Sequence, residues 1–562
     1  MNRNVESHFS ELPTIDIERS IFDRSASHKT SFNVGELIPF YVDEVLPGDT
    51  FNVTTSCVVR LQTPLTPIMD NLYLDTYYFY IPSRILQNSF VEVMGENKAG
   101  PWVPATEHNV ALIKPPENGW NVGTIADYMG IPPGVGPSEG KLKYPVALPF
   151  RAYAMCVDQW FLDQNVQDHP NIHFDDTTRS GSNSDNYITG IELGGKPFIC
   201  GKFRDYFVSC LPSPQKGPDV GLTYNFFNQQ ARNYPYVPVI ASNDIHRFVT
   251  NQGLKGVFND DPTVQKYLTR YTTGGREYIT AQGTEPDIGY FIPNNLWADL
   301  SGTVDNIHEN PLSVNDLRIA FQLQKYYEKA ARGGTRYREI LAEMFSVRSS
   351  DARFQIPEYL GGHRIPLSIH QVANQSQGES DFLGDLGAMS NTSDVHEDFV
   401  KSFEEFGYIL GLCVVRYDHS YPQGLERFWT RSGKLDYYWP VFANVGEQPV
   451  FKQEIMWTSE QTGYEVFGYQ EAWAEYRYKP NRVSGEMRPG IANSLASWHL
   501  ADNYASVPSL SSDWIKEDKS NVDRVLSVTS AVSNQVFADF YVKNICTRAM
   551  PMYSIPGLID HH

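Results

Sequence analysis

The stretch from Phe51 to Leu61 reads FNVTTSCVVRL, and it decides the fold class. Side chains suited to burial recur at every second position, and mostly polar ones stand between them. Successive side chains of a strand point to opposite faces, so this period of two predicts a long strand with one buried face. Leu72–Ile81, Tyr408–Tyr417 and Gln535–Ile545 predict further strands. Strands near both ends with long material between them predict an all-β fold, an eight-stranded antiparallel jelly roll with long loop and helical insertions.

Three amphipathic helices are predicted within the long middle of the chain. The first begins at Leu148–Pro149 and carries on one face Phe150, Tyr153, Val157, Trp160 and Phe161. The second is capped by Ser313, ends at Gly333–Gly334, and carries the stripe Leu317, Ala320, Phe321 and Tyr327. The third is capped by Thr335 and carries the stripe Tyr337, Ile340, Leu341, Met344 and Phe345.

Composition favours one large domain whose surface is partly covered by neighbouring subunits in an assembly. The chain has 562 residues, and its 36 prolines and 41 glycines are spread throughout without a low-complexity linker. Residues 1–31 are polar and mixed in charge, which predicts an N-terminal arm, and residues 32–562 form the predicted domain with its insertions. The 33 tyrosines and 31 phenylalanines exceed what one core needs, and aromatic residues are enriched at protein interfaces.

The charge of the chain argues against coating nucleic acid by bulk electrostatics. The formal net charge is −20. The charge is uneven, since residues 318–353 hold eight basic and four acidic side chains, while residues 379–405 hold eight acidic ones against Lys401. Such runs are solvated surface or the two faces of a capsid subunit, and solvated surface is the commoner case.

Cysteine usage predicts a protein that matures in a cytoplasm. The six cysteines lack paired spacing, which indicates reduced thiols in a chain of this length. Met1–Asn4 opens no apolar signal segment. The longest apolar run, Tyr408–Val415, is too short for a bilayer, so no membrane insertion is expected.

The enzyme-like motifs are weak, and no catalytic residue, cofactor or metal is predicted. Gly190–Pro197 resembles a phosphate-binding loop but has Pro197 where a hydroxyl is needed, and Phe198–Cys200 continues as a strand would. His169–Asp176 contains four potential metal ligands, but its proline and polar surroundings predict an exposed turn. Cys413 lies on a buried strand, where a thiolate nucleophile is not expected.

Several stretches of this sequence resemble the major capsid proteins of microviruses, the small icosahedral single-stranded DNA bacteriophages. The resemblance is to their gokushovirus branch in particular. These segments occur in the same order as in that family, and they are Lys29–Phe51, Ala331–Tyr337, Ile356–Gly362 and the signature segment Phe467–Pro480, which reads FGYQEAWAEYRYKP. The aromatic rings of the signature segment alternate with small and charged residues, a pattern typical of extended contact surfaces.

The resemblance implies a capsid-type jelly roll that builds a T=1 shell of 60 copies through pentamer intermediates. The shell would enclose a circular single-stranded DNA genome, with an internal scaffolding protein, a minor pilot protein and a small basic DNA-binding protein as partners. The protein would belong to the virion and assemble in the cytoplasm of a host bacterium. Residues 221–293 sum to zero formal charge and lie between matching flanks. By resemblance they form the threefold protrusion, which is expected to bind a bacterial surface receptor.

Two sets of residues are candidate contacts. Genome contact requires cations for phosphates and rings for bases. The predicted set is Lys325, Tyr326, Lys329, Arg332, Arg336 and Arg338, with Arg477 and Lys479 from the signature segment second. The predicted receptor set is Tyr234, Tyr236, Phe248, Tyr267 and Tyr271.

Two alternatives belong to other classes of protein. A carbohydrate-active β-sandwich enzyme would use the tyrosines and tryptophans to stack on sugars, but the missing signal segment and unpaired cysteines count against it. A receptor-binding spike or fibre protein would show internal repeats, which the sequence lacks.

Overall fold

A computed structural model of the chain describes residues 18–97, 107–138, 142–220, 314–375, 383–384, 386–459 and 463–553, together with the backbone of short strands between residues 239 and 298. By its contacts the chain divides into two compact units. The main unit comprises Met1–Gly217 and Tyr326–His562, and the second unit is Pro218–Lys325.

Strands dominate the described residues. In chain order they are β1 Ser20–Asp23, β2 Ala26–Phe32, β3 Ile38–Val45, β4 Thr50–Leu61, β5 Leu72–Pro82, β6 Ile113–Lys114, β7 Arg179–Ser180, β8 Val239–Ala241, β9 Arg247–Val249, β10 Lys255–Val257, β11 Tyr267–Thr273, β12 Arg276–Gln282, β13 Ile292–Pro293, β14 Leu296–Ala298, β15 Glu358–Gly361, β16 Arg364–Pro366, β17 Ile369–Ala373, β18 Leu386–Ser390, β19 Thr392–Ser402, β20 Gly407–Tyr417, β21 Gln448–Phe451, β22 Val466–Gln470 and β23 Val536–Arg548.

The helices are mostly short and lie between the strands. They are α1 Ser83–Leu86, α2 Phe90–Val93, α3 Ile125–Tyr128, α4 Leu148–Cys156, α5 Tyr187–Gly190, α6 Val314–Gly333, α7 Tyr337–Phe345, α8 Asp351–Phe354, α9 Ser512–Ile515 and α10 Lys519–Val525. A π-helical turn, Val157–Phe161, extends α4. Single 3₁₀ turns are Ile191–Leu193, Arg427–Thr430, Lys434–Asp436, Pro440–Phe442, Lys452–Glu454, Ala474–Tyr476, Gly485–Met487 and Ala496–Trp498.

Two antiparallel sheets pack face to face and form the centre of the main unit. The first sheet has the order β1–β23–β4–β19, with β2 also paired to β23. The second has the order β15–β5–β20–β3, with β16 also paired to β5. The inner faces share one apolar core, in which the rings of Phe40 and Phe540 stack with centroids 4.5 Å apart. The main unit is therefore a β-sandwich, which confirms the all-β prediction at this level.

A second apolar core covers the outer face of the second sheet. The side chains of Leu410, Leu412 and Val414 on β20 pack there against Phe150 and Tyr153 of α4. Since β20 has the first core on its other face, it is buried on both sides. This double burial explains why its sequence is a continuous apolar run, whereas β4 alternates between buried and more exposed positions.

The predicted strands and the first predicted helix are confirmed. β4, β5, β20 and β23 cover the four predicted strand stretches, and α4 begins at Leu148 with a proline in its first turn. Residues 20–31 of the predicted arm pair as the strands β1 and β2 against β23, while residues 1–17 lie outside the described residues. Phe198–Cys200, predicted to continue as a strand, makes only one isolated bridge, between Ile199 and Glu36.

Details of the other two helices differ from prediction. α6 ends at Gly333 as predicted, but Ser313 lies outside the described residues and Phe321 is exposed rather than buried. Thr335 does not cap α7, whose N-cap is Arg336, and the Thr335 hydroxyl instead donates to Oε1 of Gln164. The stripe on α7 is amphipathic, yet no residue of α7 is buried, and Tyr337 and Phe345 are largely exposed.

The second unit contains the predicted insertion, residues 221–293. Its described backbone forms three small antiparallel sheets, in which β8 pairs with β14, β9 with both β10 and β13, and β11 with β12. The predicted boundaries of the insertion stay a prediction.

Candidate functional site

A cleft of about 580 Å³ lies beside the N-terminal end of α7, and we call it the helix cleft. The second sheet, the π-helical turn and the loop after Cys200 form its other walls. Its charged lining residues are Asp163, Lys202, Arg204, Arg336, Arg338, Glu339, Arg364 and Arg416. Six cations thus face two carboxylates.

Buried carboxylates behind the lining neutralise most of this charge. Asp75, on β5, is buried and accepts hydrogen bonds from Nε of Arg364 at 2.6 Å and from Nη2 of Arg416 at 2.6 Å. Both guanidinium groups also lie 4.4 Å from the ring centroid of Phe203. Lys202 pairs with buried Asp502 at 3.1 Å. These cations therefore hold the cleft together.

Two arginines of the predicted genome-contact set line the helix cleft. Nη2 of Arg336 donates to the carbonyl oxygen of Asp158 at 2.5 Å, and its Nη1 pairs with Glu339. Nη2 of Arg338 donates to the carbonyl oxygen of Gln159 at 2.7 Å, and its guanidinium lies 4.6 Å from the ring of Trp160. Both side chains are mostly buried, so their guanidinium groups face the chain more than the solvent.

The rest of that predicted set lies on α6. Arg332 forms an ion pair with Glu447. Lys325, Tyr326 and Lys329 have exposed side chains. The structure thus brings Arg336 and Arg338 together in the helix cleft and leaves the other four along α6.

A larger cleft, of about 710 Å³, is lined by the end of the signature segment and the loops on either side, and we call it the signature cleft. Phe467, Ala472 and Trp473 of that segment are buried, so the rings at its start serve packing rather than an exposed surface. The ring of Tyr478 stacks in parallel on Tyr206 in one wall, with centroids 5.1 Å apart. The charged lining residues of this cleft are Glu426, Arg427, Arg431, Glu454, Glu475, Arg477, Lys479, Arg482 and Arg488.

Pairs of cations share single carboxylates in the signature cleft. Lys479 and Arg482 both pair with Glu426, and their side chains are 63% and 59% exposed. Arg427 and Arg431 both approach Glu475, at 3.9 and 3.3 Å. Since cations outnumber carboxylates and several are exposed, this cleft is positive on an otherwise acidic chain.

The two predicted residues of the signature segment differ in their partners. Arg477 pairs with Glu471, not with the neighbouring Glu475, and Nη2 of Arg477 also donates to the carbonyl oxygen of Ala472 at 3.0 Å. Lys479 shares Glu426 with Arg482, so both predicted residues keep exposed charge at the mouth of the cleft.

One carboxylate of the signature cleft titrates near neutrality. Glu454 is buried and accepts hydrogen bonds from the Phe451 N–H at 3.0 Å and from the Tyr206 hydroxyl at 3.2 Å. Burial raises the pKa of Glu454 to about 7, and nearby Glu475 adds to this effect while Arg427 opposes it.

Sequence reasoning missed several lining residues of the signature cleft. Phe428, Trp429 and Tyr476 expose their rings, Trp429 by 67%, and Arg482 and Arg488 are exposed cations. The segment Arg427–Arg431 reads RFWTR, which has the mixture of cations and rings that single-stranded nucleic acid contacts require. This composition is the sequence signal from which these lining residues could have been predicted.

A buried ionic network ties distant parts of the main unit together. His419 lies between Asp502 and Glu517, with Nδ1 2.7 Å from one carboxylate and Nε2 2.6 Å from the other. Burial alone would lower the pKa of His419, but the two carboxylates raise it to about 9. His419 and Lys202 in turn hold the pKa of Asp502 below its usual range, against the effect of its burial.

The receptor set lies largely outside the described residues. Tyr234 and Tyr236 are not described. Phe248 belongs to β9, and Tyr267 and Tyr271 to β11, of which only the backbone is described. These five residues stay predictions.

The enzyme-like candidates have structural partners. His169 pairs with Asp158, His173 with Glu192, and Cys413 is buried with its thiol pKa raised well above the usual range by burial. All six cysteines are buried and free. Among the described residues no cluster of three or more His, Cys, Asp or Glu has a geometry that would hold a metal ion. No helix there has the length and apolarity of a membrane span.

Two packed antiparallel sheets with long insertions are the kind of architecture that viral capsid subunits have. The profile of the family described as "Capsid protein (F protein)" matches residues 10–558, so the chain belongs to this family of phage capsid proteins. Members of the family are structural coat proteins, not enzymes.

Curated relatives agree over almost the full length. The chain is 40% identical to capsid protein VP1 of Spiroplasma virus 4 over 541 residues, which are 94% of either chain. It is 35% identical to capsid protein VP1 of Chlamydia phage 1, and 35% identical to that of Bdellovibrio phage phiMH2K, over 99% of this chain and 98% of each relative. All three are gokushovirus-type microviruses, which confirms the resemblance found in the sequence.

Proposed function

We propose that this protein is the major coat protein of a microvirus and that 60 copies self-assemble, through pentamers, into a T=1 icosahedral shell around a circular single-stranded DNA genome. The observation that carries the proposal is the match to capsid proteins over at least 94% of both chains in each comparison. A match of that extent includes both sheets of the main unit.

The strand order supports a jelly roll of eight main strands. Taking β2, β3, β4, β5, β15 with β16, β19, β20 and β23 as strands one to eight, the two sheets have the orders 1-8-3-6 and 2-7-4-5. Chain connections between such paired sheets are those of two Greek keys, the arrangement of viral jelly rolls. Short edge strands and insertions account for the remaining described strands.

Genome contact is proposed mainly for the signature cleft. Its exposed cations Lys479, Arg482 and Arg488 lie with the exposed ring of Trp429 in one lining, the combination that binds phosphates and stacks on bases. Arg336 and Arg338 are less suited, because their guanidinium groups are engaged inside the chain. Lys325, Tyr326 and Lys329 on α6 stay second candidates, since their side chains are exposed.

Changing Lys479, Arg482 and Arg488 together to glutamine tests the genome contact. Shells are expected to form at wild-type yield but to package less DNA. For binding of the subunit to single-stranded DNA, the slope of log K against log salt should become shallower by about 2. Each of the three lost phosphate contacts is expected to contribute ~0.7 to that slope. Wild-type packaging and an unchanged slope would refute the contact.

The matched control changes Arg332, Arg336 and Arg338 to glutamine. It also removes three cations, but each of these has a carboxylate of its own and is less exposed than Lys479 and Arg482, so a loss of subunit stability is expected with an unchanged salt slope. If this control reduces the salt slope while the other variant does not, the genome contact belongs to Arg332, Arg336 and Arg338 instead.

The assembly proposal is tested by electron microscopy of the purified protein. Closed icosahedral particles with 60 copies are expected, either from the subunit alone or with an internal scaffolding protein. A minor pilot protein and a small basic DNA-binding protein are the other proposed partners, and the virion, assembled in the host bacterial cytoplasm, is the proposed location. Particles of another symmetry, or a stable monomer under all conditions, would overturn the proposal.

Host recognition is proposed for residues 221–293. They belong to a compact unit of their own, Pro218–Lys325, as expected for a module inserted into a loop of the sandwich. Proteases acting on intact particles should cleave this unit first and abolish adsorption to the host. Particles that adsorb normally after its cleavage would exclude the role.

A further inference from the structure

Exposed apolar side chains are concentrated in a short loop of the main unit, residues 432–445, which we call the tryptophan loop. Its exposed large apolar side chains are Leu435, Tyr437, Tyr438, Trp439, Val441, Phe442 and Val445. Val441 is 89% exposed and Leu435 62%. Seven such side chains among eleven consecutive residues form a contiguous patch, which monomeric proteins rarely leave open to water.

Hydrogen bonds within the chain hold the backbone of the tryptophan loop in place. Oδ2 of Asp436 accepts from the backbone N–H groups of Ser432 at 2.8 Å and Gly433 at 2.6 Å. Nε1 of Trp439 donates to the carbonyl oxygen of Lys434 at 2.8 Å. At its base, Nε1 of Trp473 donates to the carbonyl oxygen of Phe442 at 2.8 Å. A preorganised apolar loop loses little conformational entropy when it binds a partner.

We propose that the tryptophan loop is an isologous interface, in which the same loop of a second copy of this chain packs against it across a twofold axis. The inference rests on the proposed self-assembly, and it specifies which surface of the subunit makes one of the contacts. Apolar area is one argument for the second copy as occupant. Seven half-exposed side chains of roughly 100 Å² each offer about 700 Å², near the ~800 Å² per partner of a standard interface.

Charge is the second argument. A twofold contact requires a self-complementary surface, so each charge must find its opposite on the same patch of the other copy. The tryptophan loop carries one cation and one anion two residues apart, Lys434 and Asp436, and both are exposed. A second tryptophan loop therefore presents both signs to the first. A polyanion such as DNA would find no surplus of positive charge in residues 432–445.

Disulfide formation tests the contact directly, because all six native cysteines are buried. Val441→Cys places an exposed thiol at the centre of the tryptophan loop, and Val122→Cys, at a site 75% exposed, is the matched control. Mild oxidation of assembled particles is expected to link V441C subunits into dimers and to leave V122C subunits monomeric. V441C dimers no more abundant than V122C dimers would overturn the isologous contact.

Labelling with a thiol reagent separates other occupants of the tryptophan loop. V441C is expected to react quickly in free subunits and much more slowly in particles. Slow reaction in free subunits would mean that the loop is covered by its own chain, and fast reaction in particles would mean that nothing covers it. Either result refutes the proposal. Wild-type particles that form normally in the same experiment would leave the proposed coat function intact.

A charge at the same position provides a measurement independent of oxidation. Val441→Asp places an unpaired charge in the contact and is expected to lower the yield of particles by about tenfold or more, with unchanged unfolding of the free subunit. Val122→Asp should assemble as the wild type does. Equal yields for the two variants would contradict the proposal.

Discussion

The helix cleft and the signature cleft are each lined by six cations, but they use those cations differently. In the helix cleft, carboxylates behind the lining, such as Asp75 and Asp502, pair with the cations from inside. In the signature cleft, Glu426 is itself partly exposed, and both of the cations that share it, Lys479 and Arg482, remain more than half exposed. The first arrangement stabilises the subunit and the second offers charge to a ligand. The number of cations in a cleft therefore does not identify a binding site, whereas their pairing and exposure do.

The largest expected effect is a difference in the free energy of unfolding between a variant of the helix cleft and a variant of the signature cleft. Asp75→Asn removes a buried carboxylate shared by Arg364 and Arg416, and breaking such a buried pair costs about 3–5 kcal/mol. Glu426→Gln removes a carboxylate that is also shared by two cations, but exposed ones, so a loss below about 1 kcal/mol is expected. Urea unfolding of the free subunits measures both. Equal losses would show that the clefts do not differ in this way.

The next effect depends on pH. The folded-state pKa of Glu454, about 7, lies above its ordinary value of 4.5, so the folded state holds the proton more tightly. Its contribution to stability is present below pH 4.5 and is lost as pH rises through 7. Glu454→Gln should remove this loss and stabilise the subunit at pH 8 by on the order of 3 kcal/mol relative to wild type, at 1.36 kcal/mol per pKa unit.

Unfolding curves at pH 5 and pH 8 measure the difference between E454Q and wild type. Glu405→Gln is the control, since Glu405 is a partly exposed carboxylate outside both clefts and is paired with Arg84. The prediction fails if wild type and E454Q lose stability in parallel between the two pH values.

A smaller effect concerns binding to single-stranded DNA. Trp429→Ala removes an exposed ring of the signature cleft, and stacking of one base on an aromatic ring contributes about 1–3 kcal/mol. Trp457→Ala is the matched control, because Trp457 is 64% exposed but lines neither cleft. Fluorescence anisotropy with an oligothymidylate should show weaker binding only for W429A. Equal affinities for the two variants would remove base stacking from the proposal.

The smallest effect is expected in the helix cleft. Arg364→Gln changes a cation that is 52% exposed but bound to Asp75, so DNA affinity should stay within about twofold of wild type. Arg488→Gln changes an exposed cation of the signature cleft and should weaken binding more, with a smaller salt slope. A larger loss of affinity for R364Q than for R488Q would reverse the assignment of the two clefts.

The strands could be predicted from the sequence because their burial is local and periodic. The alternation in Phe51–Leu61 and the continuous apolar run in Tyr408–Tyr417 each match the burial of one strand. Thr335 was predicted as a cap by its residue type, but its hydroxyl instead bonds to Gln164, which is distant in sequence. The apolar stripe of α7 was predicted correctly as a pattern, yet a pattern does not tell whether the subunit or a neighbour covers it.

The candidate site was predictable in composition but not in pairing. The density of cations around Arg336 and Arg338 is visible in the sequence, whereas the carbonyl groups of Asp158 and Gln159 that bind them lie almost 180 residues earlier. The signature segment was predicted to be a contact surface, and two of its five rings, those of Phe467 and Trp473, are buried. Its position next to Arg427–Arg431 depends on loop geometry that no local pattern contains.

The position of β23 in the first sheet has a consequence for the timing of folding. β23 lies between β2 and β4, although hydrogen bonds such as that from the Val34 N–H to Gln535 span 501 residues of sequence. During synthesis at about 5–20 residues per second, β2 and β4 wait roughly 25–100 s for their shared neighbour. The edge of β4 that pairs with β23 stays open for that interval, although its other edge can already pair with β19. Completion of β23, not the appearance of the first strands, then sets the earliest moment at which a subunit is ready to assemble.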